Sequence, residues 1–178
     1  AHGKVEAHIL DVSDEAAYTA LVNDVAQRHG RRDMLVNNAM SVHYAPLTDL
    51  TMEHWRKDFA VNAEAVFTGT KAAMKIMMKQ GGGSIVNIAS TTATRAAPYM
   101  ASYSASKAAL VQFSACAAIE GAPAKVRVNV VVPGQVMTPA TAHWATKAPE
   151  TAARTAAAIP MQRGGEPDEL AEPIVFLL

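Results

Sequence analysis

Tyr103 and Lys107 are the residues of this chain whose types and spacing point most directly to chemistry. At positions i and i+4 of a helix, two side chains share one face. A phenol titrates at about 10 when nothing perturbs it, so alone it is a poor base at neutral pH. An ammonium one turn away favours the phenolate. Such a pair can exchange a proton with an alcohol or with a carbonyl oxygen. In isolation the pair is a weak signal, because a helix with a half-buried tyrosine and a solvated lysine has the same pattern.

The elements that must position this pair follow from hydrophobic patterning. Apolar runs predict strands at Val5–Leu10, Met34–Asn37, Ser84–Ile88 and Val126–Val132. Between them lie longer Ala-rich helical stretches. Ser13 is the expected N-cap of a first helix that runs to about His29, where Gly30 ends it. Thr51 caps a second helix. A longer one is expected from about Ala63 to Lys79, stopped by Gly81-Gly82-Gly83. The helix carrying Tyr103 and Lys107 is expected from about Ser102 to Ile119, broken by Gly121 and Pro123. A less regular Ala-rich segment precedes a last helix that begins near Pro167.

Strands joined by helices need crossover connections, so the sheet is expected to be parallel. The near-continuous apolar run VRVNVVV reads as a strand buried on both faces, as in a sheet covered on both sides. The expected architecture is α/β, a doubly wound parallel sheet in a single domain over residues 1–178. In such sheets ligands sit outside the carboxyl ends of the strands. The polar residues found there are Asp11, Asn37-Asn38, Ser90 and Pro133-Gly134, with Asn62 ahead of the long helix. Each has an ordinary reading as a cap or turn residue.

Composition narrows the function. Sixteen basic and sixteen acidic residues balance, which argues against nucleic acid as the partner. With 50% apolar and 18% charged residues the chain is not disordered. No apolar run is long enough for a membrane span. The opening AHGKVEAHIL lacks the apolar stretch of a secretory leader, and Cys116 is the single cysteine. A cytoplasmic setting is therefore expected. Histidines stand at 2, 8, 29, 43, 54 and 143 without the spacing of a zinc helix, so no catalytic metal is expected.

Taken together, the residues resemble the short-chain dehydrogenase/reductase family. The resemblance is carried by Asn37-Asn38-Ala39, Asn62, Ser90, Tyr103 to Lys107, and Pro133-Gly134 through Thr138. Ser90 precedes Tyr103 by 13 residues, and Asn62 precedes Ser90 by 28. The segments VNNA, FAVNAEAVF, GGSIVNIAS, YSASKAAL, VRVNVVVPGQVMTP and RGGEPDELAEPIVFLL also match in style, across essentially the whole chain.

The resemblance implies hydride transfer between NAD or NADP and a secondary alcohol or ketone. It implies Tyr103 as general acid/base, Lys107 lowering its pKa and holding the nicotinamide ribose, and Ser90 bonding the substrate oxygen. Asn62 would hold a water in a proton relay. Asp11 and Val12 would contact the adenine, and Asn38 and Ala39 would line the adenosine side. Pro133, Gly134, Val136 and Thr138 would frame the nicotinamide. Gln135 to Pro160 would form the substrate loop, with His143 and Trp144 facing Thr92, Tyr99, Arg95 and Met100, and with His43 and Tyr44 nearby. The family's helix pairing implies a homo-oligomer, a dimer or tetramer.

Three points depart from the family. No glycine-rich phosphate loop follows the first strand, since Gly81 to Gly83 precede a strand. The family's first two strands and its last one would lie outside residues 1–178, so a longer working protein is expected. Without those strands, Val5–Leu10 would stand roughly 14 Å from Met34–Asn37. Met40 replaces the family's glycine after Asn-Asn-Ala, where a narrowed cleft or a repacked loop are both open. Two other readings stand beside the dehydrogenase. One is a non-catalytic scaffold of the same fold. The other is a nucleotide-sugar epimerase or dehydratase, which shares Tyr-x-x-x-Lys.

Overall fold

A β-branched run cannot satisfy its own backbone, so each strand must find a neighbour. In the computed structural model, which describes residues 4–178 and leaves His2 outside, three of the four expected strands do so. They are β1 (Met34–Asn37), β2 (Gly83–Ile88) and β3 (Val126–Val131), parallel and in the order β1-β2-β3. Leu35 lies opposite Ile85, and Ile85 opposite Val128. Side chains alternate between faces. That row therefore shares one face with Asn37 and Asn87, while Met34, Ser84 and Arg127 point to the other.

The expected strand Val5–Leu10 does not form. The segment has no ladder partner, and Val5 and Ile9 are fully exposed. No described strand lies beside it to take up its backbone groups. Only Leu10 and the following Val12 reach the core.

The helices follow their caps. In α1 (Glu15–His29) the N-cap is Asp14, whose carboxylate accepts from Ala17 N, not the expected Ser13. Ser13 is already engaged, donating from N and Oγ to Asp11. Gly30 ends α1 at φ 74°. The two helices expected after Thr51 are one continuous rod. It comprises α2 (Met52–Phe59), a π turn (Ala60–Glu64) and α3 (Ala65–Gln80). No proline interrupts residues 52–80, and three alanines occupy the junction. α4 (Ala101–Gly121) carries Tyr103 and Lys107. The Ala-rich stretch expected to be irregular contains α5 (Pro139–Lys147) and α6 (Pro149–Ala158). Each starts on a proline at the first helical position, where the missing N–H has no cost. α7 (Pro167–Leu177) begins as expected.

Tyr18 and Val22 of α1, Ala72, Ala73 and Met77 of α3, and Ala117 of α4 pack on Leu35, Ile85, Val126 and Val128. α7 meets the opposite face, where Ser84 Oγ and Arg127 Nη1 both donate to the Leu177 carbonyl at 2.8 Å. On that face β1 stays open, with Met34 and Val36 exposed. No described helix is long and apolar enough to cross a membrane.

A polar chain threads the first layer. Tyr18 Oη donates to Asn37 Oδ1 (2.6 Å), Asn37 Nδ2 to Asn87 Oδ1 (2.8 Å), and Asn87 Nδ2 to Ser114 Oγ (2.9 Å). It satisfies amides that would be costly to bury alone. Gly69 leaves room for it. A Cβ there would stand 2.5 Å from Tyr18 Oη and 2.8 Å from Asn37 Oδ1. Gly69→Ala should therefore lower stability by about 1–3 kcal/mol, despite alanine's better helix propensity. The midpoint of urea unfolding measures this, and an unchanged or raised midpoint would contradict it.

Candidate active site

Parallel strands bring their carboxyl ends to one edge, and that edge gathers the polar residues singled out in the sequence. Asn38 and Ala39 follow β1 and are exposed. With Val12, Val36, Ala65 and Val66 they line a small cavity of about 70 Å³. Asp11 stays exposed in its turn with Ser13. Ser90 follows β2 and does what a cap residue does: its Oγ accepts from Thr92 N (3.2 Å) and Thr92 Oγ1 (3.1 Å). Pro133 follows β3, and its carbonyl accepts from Thr91 N at 2.9 Å, which ties the loops after β2 and β3 together. Gly134 is exposed, Val136 bridges to Gly165, and Thr138 caps α5.

Tyr103 and Lys107 lie on the buried face of α4, with only 8% and 2% of their surface exposed. The Ser90 hydroxyl lies close enough to the Tyr103 phenol to favour its ionisation. Lys107 Nζ donates to the Ile88 carbonyl at 2.7 Å and stands 5.8 Å from the centre of the Tyr103 ring. An ammonium has three donors, so two remain for other acceptors. Burial pushes Lys107 down to about 8. Burial also holds the phenol above its ordinary value. The nearby Ser90 hydroxyl pulls it down, while Tyr44 and Asp58 push the same way as burial. Burial thus dominates at Tyr103, and the lowering expected from the neighbouring ammonium is not seen.

Asn62 is fully buried in the π turn. Its Oδ1 accepts from Ser41 N (2.9 Å), and its Nδ2 donates to Ser41 O (2.7 Å) and to Ser106 Oγ (3.0 Å). Both amide protons are spent, so a water at Asn62 must use Oδ1 or the backbone carbonyl. One turn earlier, Asp58 is also fully buried. It accepts from Ser41 Oγ (2.8 Å), His43 Nδ1 (2.7 Å), His43 N (3.3 Å) and Ser102 Oγ (2.5 Å).

Ser90, Tyr103 and Lys107 therefore meet, and Asn62 joins them through Ser106. Tyr99 holds a left-handed backbone (φ 65°) and is tied by its carbonyl to Ala45 N at 3.1 Å. His143 and Trp144 stand on α5, and no described hydrogen bond links their side chains to Ser90, Tyr103 or Lys107. The sequence reading missed Asp58, Ser41, Ser102 and Ser106. A signal was present in the matching i, i+4 spacing of 58 with 62 and of 102 with 106. Among the described residues no cluster of three metal-ligating side chains occurs.

Comparison with known proteins shows the family. The family profile described as Enoyl-(Acyl carrier protein) reductase matches residues 1–178. A 3-oxoacyl-(acyl-carrier-protein) reductase of Thermotoga maritima is 39% identical, over 98% of this chain and 70% of its own length. A cyclopentanol dehydrogenase of Comamonas sp. is 35% identical, over 99% of this chain and 70% of its own. Among solved structures, a putative NAD(P)-dependent gluconate 5-dehydrogenase of Beutenbergia cavernae with bound NADP superposes with a TM-score of 0.92. It is 34% identical, and the match covers 98% of this chain and 70% of that one. With a Rossmann-like parallel sheet, a full-length profile match and relatives at this identity, the chain belongs to the short-chain dehydrogenase/reductase family of oxidoreductases.

Proposed function

We propose that the protein interconverts a secondary alcohol and a ketone with NAD or NADP as hydride carrier. The observation that carries this reading is the convergence of Ser90 and Lys107 on the buried Tyr103 phenol. Two features support the fit of a dinucleotide. Lys107 keeps two unused donors and no carboxylate partner, which suits ribose hydroxyls. The small cavity lined by Val12, Val36, Asn38, Ala39, Ala65 and Val66, mostly apolar with an amide at its edge, suits the edge of an adenine. Asp11 and Asn38 would serve the adenosine end. Pro133, Gly134, Val136 and Thr138 would frame the nicotinamide, which when bound accepts or delivers a hydride at the substrate carbon.

The residues of this chain manage the proton. Ser90 Oγ holds the substrate oxygen next to Tyr103 Oη. In alcohol oxidation the phenolate takes the hydroxyl proton as the carbon gives up its hydride, and in reduction it returns that proton. Lys107 steadies the negative oxygen, and Asn62 anchors the relay toward solvent. Thr92, Tyr99, His143 and Trp144 would shape the substrate side. A cyclic secondary alcohol is the first probe, given the cyclopentanol relative. The phosphate-cradling glycine loop has no counterpart in these 178 residues, which span about 70% of the length of the relatives they match. We also assign the protein a homo-oligomeric state through α3 and α4, where Phe67, Met78 and Ile119 are exposed.

Tyr103→Phe should lower cyclopentanol turnover about 10²–10⁴-fold and leave folding and assembly unchanged. Retained turnover would remove Tyr103 from the proton step, whereas absence of turnover in the natural protein would favour the scaffold. Lys107 gives a second prediction. Its folded pKa of about 8 lies below the unfolded 10.5, so between these values the unfolded chain binds the extra proton. Stability should therefore rise with pH from about 8 toward 10, above which the raised Tyr103 acts oppositely. Urea titrations across that range should show the rise in the natural protein and a flat profile in Lys107→Met.

A further inference from the structure

We propose that Asp58 is a positioning residue: its buried carboxylate acts with Asn62 to fix the register of α4 on the α2–α3 rod, and so aims Tyr103 and Lys107 at Ser90. The proposal rests on the reading of Tyr103 as the acid/base. It adds a residue that the proton-transfer scheme does not itself require.

The geometry is a ladder of two rungs. Asp58 Oδ2 accepts from Ser102 Oγ at 2.5 Å, and Asn62 Nδ2 donates to Ser106 Oγ at 3.0 Å. Residues 58 and 62 are one turn apart on their helix, and so are 102 and 106 on α4. The rungs are thus spaced by about 5.4 Å, the pitch of a helix. Tyr103 and Lys107 are the residues that follow the two serines. A slip of α4 by one residue would break both rungs and turn both functional side chains by about 100°. The same two residues grip the loop after β1 as well. Asp58 takes the Ser41 hydroxyl, and Asn62 takes Ser41 N and O.

A carboxylate is a costly way to join two helices. Burying it is unfavourable unless its lone pairs are filled, and an apolar pair would hold the helices at less cost. Its charge also opposes the chemistry, since a negative group near Tyr103 disfavours the phenolate. Neither packing nor activation of the base explains Asp58. Direction does, because a short charge-assisted O–H···O⁻ bond tolerates little displacement. The titratable groups around this assembly are Tyr103 and Lys107 from α4, His43 and Tyr44 from the loop after β1, and His54 of α2, stacked on His43 with ring centres 4.3 Å apart.

The test uses the full natural protein, cyclopentanol with NAD⁺ or NADP⁺, and the ultraviolet absorbance of tyrosinate. Ser102→Ala removes one rung and keeps the charge. It should lower kcat about ten- to a hundredfold, with KM and the pH midpoint nearly unchanged. Asp58→Asn removes the charge as well. It should lower kcat and also move the acid limb of the oxidation profile to lower pH, because the phenolate is no longer repelled. The Tyr103 step of the tyrosinate titration, identified as the one missing in Tyr103→Phe, should move the same way in Asp58→Asn and stay in place in Ser102→Ala. Wild-type kcat per folded molecule in both Ser102→Ala and Ser106→Ala would overturn the proposal, even if Asp58→Asn fails to fold. A loss of stability with unchanged kcat and titration would reduce Asp58 to a structural group and overturn it equally. Turnover surviving in Tyr103→Phe would instead overturn the acid/base reading, and the tyrosinate titration would then decide on Asp58 alone.

Discussion

The bond from Lys107 Nζ to the Ile88 carbonyl is the contact on which the site is built. A lysine with 2% of its surface exposed needs an acceptor, and the end of a central parallel strand offers one. This single bond docks α4 against the end of β2, two residues before Ser90. The serine and the tyrosine then meet from two different elements, the end of a strand and the start of a helix. The desolvation that makes the bond necessary is also what sets the titration of both partners. Packing and chemistry here have one cause.

Around that bond the molecule solves the same problem repeatedly. At several places where the sheet and its helices enclose an amide, a hydroxyl or a carboxylate, a second polar group closes on it, while Asn129 Nδ2 of β3 and Ser104 Oγ of α4 stay buried without a partner. Asn37 and Asn87 bond to each other under α3 and α4, Asn62 bonds to Ser41 and Ser106, and Asp58 takes four donors. Apolar residues supply most of the driving force. The polar pairs choose which of the helix arrangements allowed by small alanine faces is adopted. That division of labour suits a site in which a shift of an ångström matters.

Much of this was legible in the sequence, for physical reasons. β1, β2 and β3 appear as apolar runs bounded by polar or glycine residues, and the patterning placed them to within a residue. Tyr103 and Lys107 were found through their i, i+4 spacing, and Ser90 through its place after a strand together with the family resemblance. The strand at Val5–Leu10 was misjudged because strand formation is a property of a pair, and a single sequence window does not contain the partner. The helices at α5 and α6 were missed because alanine runs carry no amphipathic period, although propensity and the leading prolines favour them. Asp58 was overlooked since an acidic residue on a short helix reads as surface. Its partners Ser41 and Ser102 lie 17 and 44 residues away.

The parallel pairing also shapes how the chain reaches this state. Met34 pairs with Ser84 and Ser84 with Arg127, so every rung of the sheet closes a loop of more than forty residues. No hairpin is available to nucleate it. Each pairing must be preceded by closure entropy that only the completed core returns. The helices between the strands are the local structure that can form early, and α1 against α3 is an all-helical contact that can shorten the search. The candidate site needs β2, α4 and the α2–α3 rod together, so it depends on these long-range closures.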